Sequence, residues 1–482
     1  MEFNSLSFII FFTTIFTLYW IIGSKNNRKQ TYLILFGSYL FYAWAEWRFL
    51  IFLIFTSILT FYVGKFIEES KSIKQQKLLL FIGLLQGIGS LLFFKYSNLV
   101  IDSINSLFHI VQINQKIPRL DVLIPLGISF FTFRTLSYLL DIYHKKIDTC
   151  KDWLHFFTYV AFFPSLLAGP IDKSKLIIPQ LEKQREFNYF QIKDGLKQIL
   201  WGMFVKVVVA DNCALIADNI FSCYNCWPAK TLLVGAFIFT IQVYADFSGY
   251  SNMAIGFSKL LGITITKNFN YPFFSQNIAE FWRRWHISLT SWLTEYLFTP
   301  LSIAFRNFNK FGTILAILIN FTLIGLWHGP KTTYLAFGFF HGLMFIPLII
   351  KGNINKKNKK LELKKLPSLK EFINILFTFT LVTFLFIIFK CNNLEEVKYI
   401  YTKIFSKSIF YNVVLIYENF NYTIFFIVIM FVLEWLTRNK EHPFELSNVK
   451  SKFIRTMIYY LVLLCIFIYS VDKGANFIYF QF

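Results

Sequence analysis

Acidic side chains are scarce in this sequence, and charge of either sign is thin. Asp and Glu number 27 in 482 residues, and charged residues make up 16% of the chain. A soluble protein carries about a quarter, so the composition argues against a water-covered body. Cysteine is also sparse: Cys150, Cys213, Cys391 and Cys465 are scattered, and only Cys223-Tyr-Asn-Cys226 has a suggestive spacing. With no second pair and no nearby His, the spacing excludes a zinc framework and leaves a local disulfide, if that loop faces an oxidising periplasm. Walker loop, G-x-S-x-G elbow and H-E-x-x-H helix are all missing, so kinase, serine-hydrolase and zinc-protease readings lack their parts. Internal repeats, heptad arrays and long low-complexity linkers are missing too. The run from Ser5 to Ile22 has no basic residue before it and no small-residue cleavage site after it, so it reads as a retained span rather than a secretory signal.

What is there in abundance is apolar. Hydrophobic residues make up 56% of the chain and aromatic residues 20%. Each bilayer span needs roughly 20 residues plus a loop, which leaves room for about ten to thirteen. Candidate spans are 5–22, 31–44, 48–63, 78–96, 121–141, 194–215, 229–250, 311–327, 332–350, 372–390, 420–436 and 456–471. Continuous runs of this length, rather than dyad alternation, exclude a barrel and predict an all-α polytopic membrane protein, read as one domain over 1–482. Two stretches, 153–170 and 287–304, are interrupted by Pro, Gly or polar groups and read as re-entrant or partly buried. Broken backbone survives at membrane depth only around protein or a wet cavity, so they point to an internal cavity.

The net charge of +21 is not a nucleic-acid signature. The basic residues lie in short clusters between apolar runs, as in cytoplasmic loops, and the aromatics lie inside the runs rather than beside the clusters. Loops 25–29, 65–77, 144–151, 172–187, 351–365 and 438–455 can all face the cytoplasm at once. The densest, Lys351 to Lys365, holds seven Lys against one Glu. Loops 97–120, 216–228 and 391–410, and the C-terminus, then face outward.

Polar groups inside apolar runs are costly and usually functional. Of the seven His, His109, His144, His155 and His442 fall in or near loops and read as surface residues. His328 ends the apolar run Phe321-Thr-Leu-Ile-Gly-Leu-Trp-His-Gly-Pro330, where a neutral imidazole could serve as general base or as a hydrogen-bonded structural His. His341, in Phe339-Phe-His-Gly342, reads as packing or support around it. His286 lies in Glu280-Phe-Trp-Arg-Arg-Trp-His-Ile-Ser-Leu289. There Trp282, Arg283 and Arg284 suit an anionic group such as a phosphate of a nucleotide carrier, or alternatively a snorkelling interfacial helix. Asp246, in Gln242-Val-Tyr-Ala-Asp-Phe-Ser-Gly-Tyr250, needs a buried partner, with Arg the natural one, and Ser248-Gly249 should loosen that helix.

Taken in order, Phe133-Arg-Thr-Leu-Ser-Tyr-Leu-Leu-Asp-Ile-Tyr143, Ala168-Gly-Pro-Ile171, Gln242–Tyr250, Asn268-Phe-Asn-Tyr-Pro272, Glu280–Leu289 and Gly325-Leu-Trp-His-Gly329 resemble the MBOAT (membrane-bound O-acyltransferase) family. The resemblance is to its bacterial branch of alginate O-acetylation and PatA-like proteins. It implies a helical bundle with re-entrant segments and a central tunnel, His328 as the family's near-invariant His and His286 as its second polar active-site position. It also implies an acyl donor at the cytoplasmic face, here acetyl-CoA with no bound cofactor. The C-terminal Phe477-Ile-Tyr-Phe-Gln-Phe482 resembles a terminal motif whose Tyr carries the acyl group outward; carried over, that Tyr is Tyr479, and the alternative is an interfacial anchor. Gly329-Pro-Lys331 departs from the family, whose members often have small apolar residues after His-Gly.

The reading is therefore an inner-membrane acetyltransferase working with a periplasmic SGNH-type transferase on peptidoglycan, with alginate or another exopolysaccharide as the alternative. The rival from another class is a transporter or flippase, which broken helices and midplane polar groups would also suit.

Overall fold

A computed structural model describes residues 1–23, 26–353, 366–410, 420–446, 449–471 and 477. The described residues are helical and contain no strand. Among the described residues, eight helices are long and apolar enough to cross a membrane, and two more apolar helices of 17 residues accompany them. The chain packs as two compact units, Met1–Gln191 with Ser258–Thr266, and Ile192–Phe257 with Lys267–Phe482.

The first unit holds α1 (Leu6–Ile22), α2 (Asn27–Glu69), α3 (Ile73–Ile110), α4 (Ile128–Tyr143), α5 (Trp153–Ala161), α6 (Phe163–Leu166) and α7 (Ser174–Glu182). At 43 residues, α2 is about twice a bilayer span at 1.5 Å per residue. It breaks at Glu46, whose φ of −163° and ψ of 102° are not helical, so the two spans expected there are its two halves. The interrupted stretch 153–170 is broken as expected, at Phe162 between α5 and α6. What holds the break is Arg134 of α4, 1% exposed. Its guanidinium donates to the carbonyls of Tyr159, Val160, Ser165 and Pro170 and to Ser165 Oγ, at 2.6–3.4 Å. Carbonyls left without helical partners in an apolar interior are expensive, and one five-donor side chain collects several of them. This explains why an Arg and an Ala-Gly-Pro turn recur together in the motif set.

Loops assigned to one side by charge meet one another within this unit. Glu68 accepts from the backbone and hydroxyl of Thr149, Asn27 donates to the Glu182 carbonyl, and Arg185 donates to the Asn27 carbonyl and to Thr31. On the other side, Arg119 pairs with Asp102 at 2.6 Å and Asn98 binds the backbone of Leu120.

The second unit holds α8 (Tyr189–Met203), a π-helical turn (Phe204–Ala210), α9 (Asp211–Ser222), α10 (Ala229–Leu260), α11 (Ile278–Arg284), α12 (Ile287–Leu293), a second π turn (Thr294–Phe298), α13 (Thr299–Ala304), α14 (Asn309–His328), α15 (Thr332–Leu343), α16 (Ile346–Ile350), α17 (Leu369–Lys390), α18 (Leu394–Ile404), α19 (Phe420–Leu436) and α20 (Lys452–Tyr469). Residues 287–304 are not interrupted as expected: they form one helical run. A π turn ahead of Pro300 absorbs the missing N–H, with the Thr299 hydroxyl donating to the Thr294 carbonyl at 2.7 Å. The Lys351–Lys365 loop beyond Asn353 lies outside the described residues.

Three further expectations are corrected here. Asp246 finds a lysine, not an arginine: Lys206, in the first π turn, lies 2.8 Å from Asp246 and 2.7 Å from Asp211, all three buried. Ser248 and Gly249 do not loosen α10, which runs unbroken. A Cβ on Gly249 would come within 2.8 Å of the Gly202 carbonyl, so the glycine lets the two helices touch and brings Lys206 to Asp246. His442, read as a surface residue, is buried and bound to Asp194 at 3.0 Å.

Candidate active site

His328 is the last residue of α14, and the chain turns sharply after it because Gly329 takes φ 156° and ψ −177°. That region is essentially confined to glycine. Two other glycines let α14 and α15 close into a tight hairpin: a Cβ on Gly325 would come within 2.1 Å of the Tyr334 carbonyl, and one on Gly338 within 2.2 Å of the Phe321 carbonyl. The His328 ring, 6% exposed, is walled by Trp327, Phe389, Tyr334 and Phe337 at centroid distances of 4.8, 5.0, 6.2 and 6.2 Å. Its placement is set by a glycine turn and aromatic packing.

His286 is held differently. It caps α12 in a left-handed conformation, φ 45° and ψ 53°, with its ring inside the protein. Its Nδ1 lies 3.1 Å from Asn268 Oδ1. Asn268 is fully buried, and the same oxygen accepts from the Ser288 backbone N–H and hydroxyl at 3.3 and 2.9 Å. A backbone N–H can only donate, so it fixes the amide's orientation, and an acceptor oxygen fixes the proton on His286 Nδ1. Nε2 is then the basic nitrogen. Burial pushes the imidazole down to about 3, so it is neutral at physiological pH. The backbone braces the same contact: Ile287 N–H donates to the Asn268 carbonyl and Asn270 N–H to the Arg284 carbonyl.

The two imidazoles share one neighbour. Trp327 lies 5.7 Å from His286 and 4.8 Å from His328, centroid to centroid. Phe247 also meets His286, in a T-shaped contact at 4.7 Å. Phe247 in turn meets Phe477, which is buried and stacked on Tyr250 at 4.7 Å. Tyr479 lies outside the described residues.

A cavity of about 580 Å³ is lined by Trp282, Arg283, Thr290, Ser291, Thr294 and Asn320 among others; Ile287, next after His286, and Ile324 of α14 reach it, and neither His286 nor His328 does. Trp282 Nε1–H donates to His341 Nδ1 at 3.2 Å, so His341 braces the tryptophan on the cavity wall. Asn320 Oδ1 is buried with no partner among the described residues. Of the two arginines only Arg283 reaches the cavity. Arg284 is committed to Glu280 at 2.9 Å and to the Asn270 carbonyl, and holds the Asn268–Pro272 stretch against α11. Asp246 belongs to the Lys206 network and is not on the cavity wall.

Asn268, Trp327 and Lys206 are the residues that sequence reasoning missed. Asn268 and Trp327 stood inside quoted motifs without a role. Lys206 was visible as one charge in the apolar run Phe204–Ala210, the signal that intramembrane charge is functional or paired.

A second, more polar cavity of about 280 Å³ lies beyond Tyr334 and Phe389, among Asp218, Ser222, Lys331, Lys390, Asn392 and Glu396. The neighbouring loop carries the Cys223–Cys226 disulfide.

The model of the membrane-bound O-acyltransferase family matches residues 148–389. The chain is 33% identical over 409 residues to the "probable alginate O-acetylase AlgI" of Pseudomonas aeruginosa, covering 84% of this chain and 75% of that protein. It is 29% identical over 430 residues to the "peptidoglycan O-acetyltransferase" of Helicobacter pylori, 82% and 78% of the two chains. The "teichoic acid D-alanyltransferase" of Streptococcus thermophilus is 32% identical over 291 residues, 55% and 68%.

Proposed function

Because this chain belongs to the membrane-bound O-acyltransferase family and is a multi-pass membrane O-acetyltransferase, we propose that it carries acetyl from cytoplasmic acetyl-CoA across the inner membrane to a hydroxyl on the outer side. A periplasmic SGNH-type transferase then passes the acetyl to an extracytoplasmic glycan. Membership of an acyltransferase family leaves the flippase reading without support. Relatives named for alginate stand at 32–34% identity and a relative named for peptidoglycan at 29%. An exopolysaccharide acceptor therefore takes first place, and peptidoglycan is the second reading.

The single observation that carries the proposal is the pair of buried imidazoles that share Trp327 as a neighbour, with a cavity of about 580 Å³ reached by Ile287, next after His286, and by Ile324 of α14. Arg283 on that wall suits a phosphate of the donor, and the Asn320 oxygen suits an amide N–H of its arm. Neutral His328 takes the proton of the acceptor hydroxyl, whose oxygen attacks the thioester carbonyl. The tetrahedral intermediate then collapses, and the thiolate leaves and takes up a proton. His286, its Nε2 aimed by Asn268, is the second basic nitrogen at that centre. The acceptor is the Tyr479 phenol: two residues span at most about 7 Å, and Phe477 is anchored against Phe247, next to His286.

The test is acetyl transfer by the purified chain in lipid vesicles loaded with labelled acetyl-CoA. His328→Ala should lower the rate by about 10²–10⁴-fold at normal expression. Near-native transfer by that variant would remove His328 from the mechanism.

A further inference from the structure

Two walls of the 580 Å³ cavity follow one pattern. On α14 the lining residues are Ile317, Asn320, Phe321 and Ile324. On α12 and the π turn after it they are Ile287, Thr290, Ser291 and Thr294. Both sets read i, i+3, i+4, i+7, the spacing of a single helix face. On α14 the next residue on that face is His328, one turn beyond Ile324 and about 6 Å farther along the axis. On α12 the residue before Ile287 is His286. Each wall therefore ends in an isoleucine, with an imidazole next beyond it. The other end of α14 leads back towards the loop read as cytoplasmic, since Lys310 Nζ donates to the Ile350 carbonyl at 2.9 Å. Neither isoleucine has room to give way. In a helix the β-branched side chain keeps essentially one rotamer. A Cβ on Gly325 would come within 2.1 Å of the Tyr334 carbonyl, so α14 already touches α15 beside Ile324 and cannot back away. Ile287 is tied through its backbone N–H to the Asn268 carbonyl at 2.8 Å.

We propose that Ile287 and Ile324 form a neck between this cavity and the imidazoles that selects the acyl group: it passes a slim apolar one such as acetyl and turns back a branched or charged one. The inference rests on the acyl-transfer reading for the donor, but the selection it claims is made in binding and does not need transfer. A thioester entering along the cavity must put its acyl end past both isoleucines before its carbonyl meets an imidazole. A branch widens that end against two stiff side chains, and an apolar pocket separates groups that differ by one methylene by about 10–200-fold. A charge meets only hydrocarbon at the neck, where it loses water and gains no partner.

Equilibrium binding of three thioethers of coenzyme A to the full chain in nanodiscs tests this, because a thioether has no acyl group to transfer. They are S-ethyl, S-isobutyl (branched) and S-(2-aminoethyl), whose ammonium stands for an aminoacyl group. The wild type should bind the ethyl thioether about tenfold or more tighter than either of the others. Ile324→Ala should bring the isobutyl thioether to within a few-fold of ethyl and still reject the aminoethyl one, since a wider neck is no less apolar. Ile324→Val, a milder change to the core, should relieve the isobutyl penalty in part. Ile317→Ala, at the other end of the same face, should leave both ratios unchanged. The proposal is overturned if the wild type does not discriminate, if neither Ile324 variant relieves the branched thioether, or if Ile317→Ala relieves it equally. Absence of vesicle acetyl transfer in the wild type, with these ratios intact, would strike the acyl-transfer reading alone. Transfer without the ratios would strike the neck alone.

Discussion

His286 and His328 share the same tryptophan as a neighbour, yet different features place them. His328 is fixed by shape: a glycine-only turn stops its helix, and four rings fill the space around it. His286 is fixed by polarity: a buried amide, braced by Ser288, specifies its proton and its direction. A hydrogen bond commits one nitrogen and frees the other. A glycine turn with aromatic packing and a buried amide are thus two separate supports of the site, and losing either should have a distinct signature.

The largest effect should come from Tyr479, the proposed acceptor. Tyr479→Phe keeps the ring and removes only the phenolic oxygen that an acyl ester needs. It should lose surface acetylation almost as completely as Tyr479→Ala, and mass spectrometry should find acetyl on the C-terminal peptide of the wild type alone. An interfacial anchor would instead tolerate Phe, since the ring still partitions to the boundary. Full activity of Tyr479→Phe would leave the two histidines serving an external hydroxyl.

Asn268→Leu comes next, because it breaks the polar support without touching the aromatic one. The imidazole keeps its cavity but loses the acceptor that fixes its proton, so Nε2 is no longer reliably basic. A wrong tautomer can be costly when a base must face one way, and a loss of about 10²-fold in the turnover number is expected. Affinity for the donor should hold, because Asn268 does not line the 580 Å³ cavity proposed to take it. A fall confined to KM would make Asn268 merely structural.

How much of this was legible beforehand depends on the range of the interaction. The helical bundle and its spans follow from local hydropathy, and both histidines stand out because an imidazole in an apolar run is rare. The break at Phe162 was readable from Pro and Gly. The partners were not. Lys206 reaches Asp246 across 40 residues because Gly202 and Gly249 let two helices touch, and no local pattern distinguishes that from an arginine farther off. Asn268 acts on a residue 18 positions away through an extended stretch, where neither 3.6 nor 2 periodicity gives a signal. Arg284 looked equivalent to Arg283, and only the fold shows that the i,i+4 spacing to Glu280 takes it away from the cavity.

The smallest effect is also the most specific, and it turns on charge at Asn268. Asn268→Asp keeps an acceptor for His286 Nδ1 and for Ser288, so geometry and tautomer should survive and the rate near pH 8 should stay within a few-fold of wild type. What changes is the imidazole's proton affinity. In the wild type burial depresses it to about 3, so His286 is neutral, and available as a base, at every pH where the protein would be assayed. A carboxylate beside Nδ1 favours the imidazolium, and the variant's pKa must rise. The base form is then lost as pH falls through the raised value. The acid limb of the rate profile should therefore move to higher pH in Asn268→Asp, by one unit or more, and stay in place in Asn268→Gln if the longer amide still reaches. An unmoved acid limb in the Asp variant would mean that His286 does not titrate in the rate-limiting step, and that of the two imidazoles only His328 exchanges protons with the reacting centre.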